Sequence, residues 1–191
     1  MLFRSPGTSA TSYVSVNPQY GFTGSVHFAV TGLPSGVTAS FSPNPTTNST
    51  TLTLTASSTA TLGEYNATIT GTSGSQTAST TFQAAVYSPT FTLYSPGISI
   101  GQGSSITSYV SVSSQYGFTG NVNFAVTGLP SGVTAAFSSN PSTGTTLTLT
   151  ASSTAALGQY NAMITGTSGK ITATTPLNIS IYAPTFTLNS Y

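Results

Sequence analysis

The chain has 191 residues, 37% of them hydrophobic, which is enough for two small hydrophobic cores. It carries one acidic side chain, two basic side chains, one histidine and no cysteine. Catalysis by acids and bases, metal binding and nucleic-acid binding need titratable pairs, ligand clusters and a basic face, respectively. We therefore expect no enzyme activity, no metal, no cofactor and no nucleic-acid partner.

More than a third of the residues are Ser or Thr. Together with so few charges, this composition is typical of secreted or cell-surface β proteins. No apolar run approaches the roughly 20 residues that a membrane span requires. The sequence thus predicts an extracellular or cell-surface protein without a membrane span.

Along the chain, short runs of residues alternate between apolar and polar, as half-buried β-strands do. Helix signals are nearly absent, because Gly, Pro, Ser and Thr interrupt every window. In the first half the alternating runs are Val14/Val16, Val26/Phe28/Val30, Val37/Ala39/Phe41, Leu52/Leu54, Tyr65/Ala67/Ile69 and 78–86. Six to seven short strands of this kind predict an antiparallel β-sandwich.

The second half repeats the first. Tyr13 to Pro45 recurs as Tyr109 to Pro141, with six substitutions in 33 positions. A repeat of about 95 residues has the length of one small β domain and is too long for a solenoid unit. The fold class predicted is all-β, with two tandem antiparallel sandwiches and an extra C-terminal strand.

A tyrosine motif makes this fold more specific. Leu-Gly-x-Tyr-Asn-Ala occurs around Tyr65 and Tyr160 and places each Tyr two residues before an inward Ala. Immunoglobulin domains carry a Tyr at this place, whose hydroxyl ties the preceding loop. With Gly-Phe-Thr-Gly, Gly-Leu-Pro-Ser-Gly-Val-Thr-Ala and Phe-Ser-x-Asn-Pro, the pattern resembles the Ig-like repeats of secreted bacterial and archaeal proteins. The resemblance implies stalks, fibres, or spacers of secreted hydrolases.

The predicted boundaries are residues 1–87 for the first Ig-like domain and 88–182 for the second. Residues 183–191 form a separate tail. The domains are joined by Tyr87-Ser-Pro-Thr90 without a flexible Gly/Ser run, and Pro89 makes this linker short and stiff.

The two domains differ at their beginnings. The second is preceded by Ser88 to Ile100, which is strand-like, whereas residues 1–12 show no alternation. The first domain is therefore predicted to lack its first strand. The missing sequence recurs in the tail, where Ala183 to Tyr191 matches Ser88 to Pro96 at six of nine positions.

We expect the tail to act as a donor strand for another copy of the chain, giving a head-to-tail filament of the donor-strand type. Its donor residues would be Thr185, Phe186, Thr187, Leu188 and Tyr191. An arbitrary cut through a longer array of domains would produce the same pattern. An accessory spacer of a larger secreted enzyme and a glycan-binding adhesin are the alternative functions.

Two further sets of residues are candidates for modification or binding. N-glycosylation sequons begin at Asn48, Asn66 and Asn178. The paired turns at Tyr20 and Tyr116 could stack on surface glycans, although packing at the end of each domain explains them more simply.

Overall fold

The computed structural model describes the chain from residue 2 to residue 189, with side chains from residue 5 onward. The chain divides into two compact units, Met1–Pro89 and Thr90–Tyr191. The division falls two residues after the predicted boundary. Within the described range, no helix is long and apolar enough to cross a membrane.

The first unit contains seven strands. They are β1 (Leu2–Arg4), β2 (Ser9–Ser15), β3 (His27–Thr31), β4 (Val37–Ser42), β5 (Ser49–Ala56), β6 (Gly63–Ser73) and β7 (Gln76–Val86). Those of residues 2–89 form a four-stranded sheet in the order β1-β7-β6-β3 and a three-stranded sheet in the order β2-β5-β4.

The second unit contains eight strands. They are β8 (Thr90–Tyr94), β9 (Ile98–Gly101), β10 (Ser105–Gln115), β11 (Asn123–Thr127), β12 (Val133–Phe137), β13 (Gly144–Ala151), β14 (Gly158–Ser168) and β15 (Ile171–Tyr182). The described residues 90–189 form two four-stranded sheets, β12-β13-β10-β8 and β11-β14-β15-β9.

The strands form where the side-chain period is two. In β13, Leu147 and Leu149 have no exposed surface, while the neighbouring Thr146 and Thr148 are half-buried on the opposite face. The branched Thr side chains suit an extended backbone, and the Leu side chains supply the buried face. The same pattern places Leu52 and Leu54 of β5 in the core of the first unit.

The sheet order of the second unit is that of an immunoglobulin-like sandwich. In one sheet β8, β10, β13 and β12 follow the order A, B, E, D, and in the other β11, β14 and β15 follow the order C, F, G. The short strand β9 runs parallel to β15 and extends the second sheet. The predicted all-β fold with two sandwiches is confirmed.

The cores of the two units differ in extent. The second has one continuous cluster that includes Phe91, Val110, Phe124 and Ile164. The buried side chains described in the first unit, from residue 5 onward, form two smaller clusters, one around Leu52 and Ile69 and the other around Ala56 and Val86. The two units therefore bury their apolar residues to different degrees, although 13–45 and 109–141 are nearly identical.

The N-terminal segment corrects one expectation. Residues 2–4 form β1, which pairs in parallel with Ala84–Val86 of β7, as β9 pairs with β15. The lead-in of the second unit comprises β8 and β9, and the first unit has a counterpart of β9 after all. Among its described residues no strand stands at the place of β8.

The tail has a strand-like sequence but is not part of a sheet. β15 ends at Tyr182, and residues 183–189 have no regular structure and are exposed. Tyr191, one of the expected donor residues, lies outside the described residues. The expected extra strand is therefore not formed among the tail residues that the structure describes, 183–189.

Candidate functional site

A long apolar groove opens in the first unit between its two sheets. It has a volume of about 540 Å³ and is lined by residues of β2, the following turn, β3, β6 and the beginning of β7. We call it the acceptor groove. Its apolar lining consists mainly of Val14, Val16, Phe22, Val26, Phe28 and Ile69.

In the second unit the same place is filled by β8. The side chains of Phe91 and Leu93 retain 2% and 9% of their exposure, and the rings of Phe91 and Phe118 lie 4.9 Å apart. A Cβ atom at Gly166 would lie 2.9 Å from Cδ1 of Leu93 and 3.2 Å from Cε2 of Phe91. The two side chains of β8 therefore pack directly on the glycine backbone of β14.

The repeat relates each wall of the acceptor groove to a residue beneath β8. Val14, Phe22 and Phe28 correspond to Val110, Phe118 and Phe124. The residues of the second unit are all buried, whereas those of the first are half-buried. The groove walls are exposed because β8 covers this place in the second unit, whereas none of the described residues covers it in the first.

The adjoining strand β7 shows the same difference. Ala78 and Thr80 of β7 are exposed, whereas the corresponding residues of β15, Ala173 and Thr175, are half-buried and buried. The groove is therefore bordered by two strands, with β2 on one side and the first half of β7 on the other.

The edge of β2 beside the groove has no strand partner among the described residues. β10 continues to Gln115 because β8 pairs with Ser111–Gln115, but β2 ends at Ser15, and residues 16–19 are not in a strand. The amide of Val16 donates to the carbonyl of Asn48, 2.6 Å away, on the β5 side. Alternate residues of an extended chain direct their backbone groups to opposite sides, so Ser15 and Asn17 direct theirs to the open edge.

The tail carries the sequence that fills the groove of the second unit. Pro184 to Leu188 is Pro-Thr-Phe-Thr-Leu, identical to Pro89 to Leu93 of the β8 region. Phe186 and Leu188 are 82% and 88% exposed. The same two residue types are thus buried at one position in the chain and solvated at the other.

The motif tyrosines lie at the start of β6 and β14. The hydroxyl of Tyr65 donates to the carbonyl of Leu62 at 2.9 Å, and that of Tyr160 donates to the carbonyl of Leu157 at 3.0 Å. Each ring is half-buried beside its loop. Both hydroxyls therefore bond backward along the chain to the loop that precedes the strand.

The asparagines of the three sequons are exposed. Asn48 is in the turn before β5, and Asn66 and Asn178 are on the outer faces of β6 and β15. At the first sequon the hydroxyl of Thr50 is buried and donates to the carbonyl of Pro43 at 2.6 Å. Glycosylation of these three residues stays a prediction.

A structural role for Asn44 and Asn140 was not foreseen. The side-chain amide of Asn140 donates to the carbonyl of Phe124 and its oxygen accepts from the amide of Phe124, both at 2.8 Å. Asn44 makes the same pair of bonds to Phe28. Each Asn thus bonds to the backbone of an edge strand, β3 or β11. The Asn-Pro pair that recurs in both halves was the sequence signal that could have indicated this role.

Comparisons with known proteins give distant structural matches. No protein-family profile and no curated protein sequence matches the chain. A solved structure of the surface layer protein SbsC, domains 1–6, is 19% identical with a TM-score of 0.48, over 90% of this chain and 22% of that one. The chain thus spans about a fifth of the length of that structure.

Two other solved structures illustrate the range of matches. A chimeric titin Z1Z2 is 18% identical with a TM-score of 0.38, over 95% of this chain and 92% of that one. An endo-fucoidan hydrolase, MfFcnA4 of glycoside hydrolase family 107, is 12% identical with a TM-score of 0.37, over 97% and 28%. At this distance the matches indicate nothing about the function of this chain.

Proposed function

We propose that the protein is a non-enzymatic, extracellular structural subunit of a head-to-tail fibre. In this fibre the tail of one copy, residues 183–191, enters the acceptor groove of the next copy and completes its first sandwich. The observation that carries the proposal is the packing of Phe91 and Leu93 in the second unit, since the tail has the same sequence and the first unit has the same walls.

Burial of the two anchors favours the association. Phe186 and Leu188 are almost fully exposed in the single chain, and burying them contributes about 3 to 6 kcal/mol together. Backbone hydrogen bonds to the open edge of β2 add to this, because an unpaired edge is a template for another strand. The half-buried groove walls lose their contact with water in the same step.

The geometry of the contact favours a polymer over a closed dimer. Donor and acceptor are different surfaces of the same chain, so the contact between two copies is heterologous. The growing assembly then keeps a free groove at one end and a free tail at the other, and growth continues unless the rotation between copies closes a ring. Serial addition of this kind gives a filament.

The composition supports a structural role outside the cell. With one glutamate and one histidine, the chain offers little for catalysis, and its many hydroxyl groups remain hydrated without depending on charge. The glutamate is engaged by the Tyr87 hydroxyl, which donates to Oε1 of Glu64. Both observations favour a passive scaffold.

Electron microscopy of negatively stained protein tests the proposal. The full chain is expected to form filaments, and both removal of residues 183–191 and Phe186→Asp are expected to leave monomers or short ends. Thr187→Asp is the matched control, because its side chain points away from the groove when Phe186 points in. Full-length filaments from the truncated chain, or a wild-type chain that stays monomeric at high concentration, would refute the proposal.

A further inference from the structure

We infer that the acceptor groove is a sequence-selective strand-binding site that takes its ligand in one register, with Leu188 opposite Val16 and Phe186 opposite Pro18. The ligand class is an extended peptide segment with Phe and Leu two residues apart. The identity of the donor as a second copy rests on the proposed function, whereas the register and the selectivity are properties of the groove.

The register follows from the second unit. There Leu93 is opposite Val112, and Phe91 is opposite Ser114, in the antiparallel pair of β8 and β10. Val112 and Ser114 correspond to Val16 and Pro18 in the repeat. Since the walls of the groove also correspond, the tail has its best fit when it copies this pairing.

Pro18 does not prevent the pairing, although it lacks a backbone N–H group. Val16 directs its amide toward Asn48 on the β5 side, and Pro18, two residues on, has the same orientation. The groups that would meet the donor belong to Ser15, Asn17 and Gln19. Docking would therefore continue β2 by about four residues, to the length that β10 has.

Selectivity arises from the subsite for the aromatic ring. Phe91 packs on the ring of Phe118 and on the backbone of Gly166, and Phe22 and Gly71 stand at the corresponding places in the groove. Gly71 has no side chain to occupy this part of the groove. A Cβ atom there would lie only 2.8 Å from Cγ1 of Val26, which also lines the groove. A flat ring can therefore lie over a glycine here, whereas a charged side chain would lose its hydration without gaining a partner.

The spacing of the two anchors fixes the register. A slip by one residue would turn Phe186 and Leu188 outward and place Thr187 in the groove, because side chains alternate along a strand. An inserted residue between the anchors would leave one of them in water. The groove therefore distinguishes Phe-Thr-Leu from Phe-Thr-Thr-Leu, and it accepts the identical β8 sequence as well as the tail.

Peptide binding tests the selectivity apart from filament formation. The Phe186→Asp chain, whose own tail cannot dock, is titrated with the synthetic peptide of residues 183–191. We expect saturable binding, measured by calorimetry, and affinity at least about tenfold weaker for Phe-Thr-Thr-Leu or Phe→Asp peptides. Ser in place of the outward Thr should leave it unchanged. Equal affinity of the inserted peptide, or no saturable binding, would overturn the inference.

Disulfide formation tests the register in the full chain, which has no cysteine of its own. Asn17→Cys with Thr187→Cys places two thiols directly opposite, within the Cα separation of about 4.4 to 6.8 Å that a disulfide spans. Cross-linked oligomers are expected on a non-reducing gel. Ser15→Cys with Thr187→Cys, displaced by about 7 Å along the strand, should cross-link far less. Equal yields would overturn the register.

Thr92→Cys with Ser113→Cys is the positive control, because these residues pair within the second unit. The outcomes separate the two proposals. Filaments that depend on the tail but accept the inserted sequence would leave the function standing and remove the inference. Selective peptide binding by a chain that never polymerises would do the reverse.

Discussion

Phe91 and Phe186 belong to identical five-residue segments and have opposite environments. The first is 2% exposed and the second 82%. The difference lies in what surrounds each segment, because β8 has the edge of β10 beside it and the tail has no described strand partner. A residue's own sequence context therefore predicts that it can be buried, but its neighbours decide whether it is.

Alanine substitution should separate these two phenylalanines. Phe91→Ala removes a buried ring and should lower the free energy of unfolding of the second unit by about 3 to 5 kcal/mol. Phe186→Ala, the matched control, should change it by less than about 0.5 kcal/mol in dilute monomer. Urea unfolding followed by circular dichroism measures both. A comparable loss of stability in both variants would mean that the tail packs on its own chain.

The corner tyrosines offer a second prediction at this scale. Tyr65→Phe removes the hydroxyl that donates to the carbonyls of Leu62 and Thr61, and Tyr160→Phe removes the one that donates to Leu157, while both keep the ring. Because the rings are half-buried, water can reach the freed carbonyl in part, and the cost should be about 0.5 to 1.5 kcal/mol each. Thermal unfolding measures it, with the exposed Tyr13→Phe as control. Stability equal to wild type in both variants would show that these bonds do not contribute.

At the level of strands, one element separates two otherwise equivalent sandwiches. β8 closes the second unit, and its two anchors join the residues beneath it into a single core. The first unit keeps the same strands on either side of the opening but divides its core into two clusters. In the second unit, Phe91 and Leu93 of this five-residue strand belong to the single continuous core.

Hydrogen exchange should reveal this difference. We expect the amides of Ser15, Asn17 and Gln19 and of the first half of β7 to exchange much faster than those of Ser111, Ser113 and Gln115 and of the first half of β15. Unpaired edges and exposed walls open with little free energy. Exchange measured by NMR on monomeric Phe186→Asp protein provides the comparison, and addition of the tail peptide should slow exchange at Ser15, Asn17 and Gln19. Equal protection of both units in the free monomer would contradict the expectation.

At the level of the whole molecule, the small number of titratable groups predicts that stability changes little with pH. Stability depends on pH only through protons that folding takes up or releases, and the chain has one glutamate and one histidine to exchange them. The melting temperature should be nearly constant from about pH 2 to 9. Differential scanning calorimetry tests this, and a fall of more than about 10 °C between neutral and strongly acidic pH would contradict it.

Much of the architecture could be predicted because its causes are local. Alternation of Leu and Thr predicts β5 and β13, and the repeat predicts that the two halves share one fold. Residues 2–4 were missed as a strand because three residues carry no readable period, and their partner, Ala84 to Val86, is distant in sequence. The bonds of Asn140 to Phe124 were missed because these two residues are also distant in sequence.

The amino-acid sequence by itself determined most of the strands, the duplication, the scarcity of charge and the identity of Pro184–Leu188 with Pro89–Leu93. The tertiary structure decided that the acceptor groove is open and that its walls correspond to the residues that β8 covers in the second unit. It also decided that Val16 bonds to Asn48 on the β5 side, so that the outer edge of β2 has no strand partner among the described residues. The physical reason is that side-chain alternation is set by neighbours along the chain, whereas a groove is formed between segments that are distant in sequence. Its walls, from Val14 to Thr80, come together only when both sheets have packed.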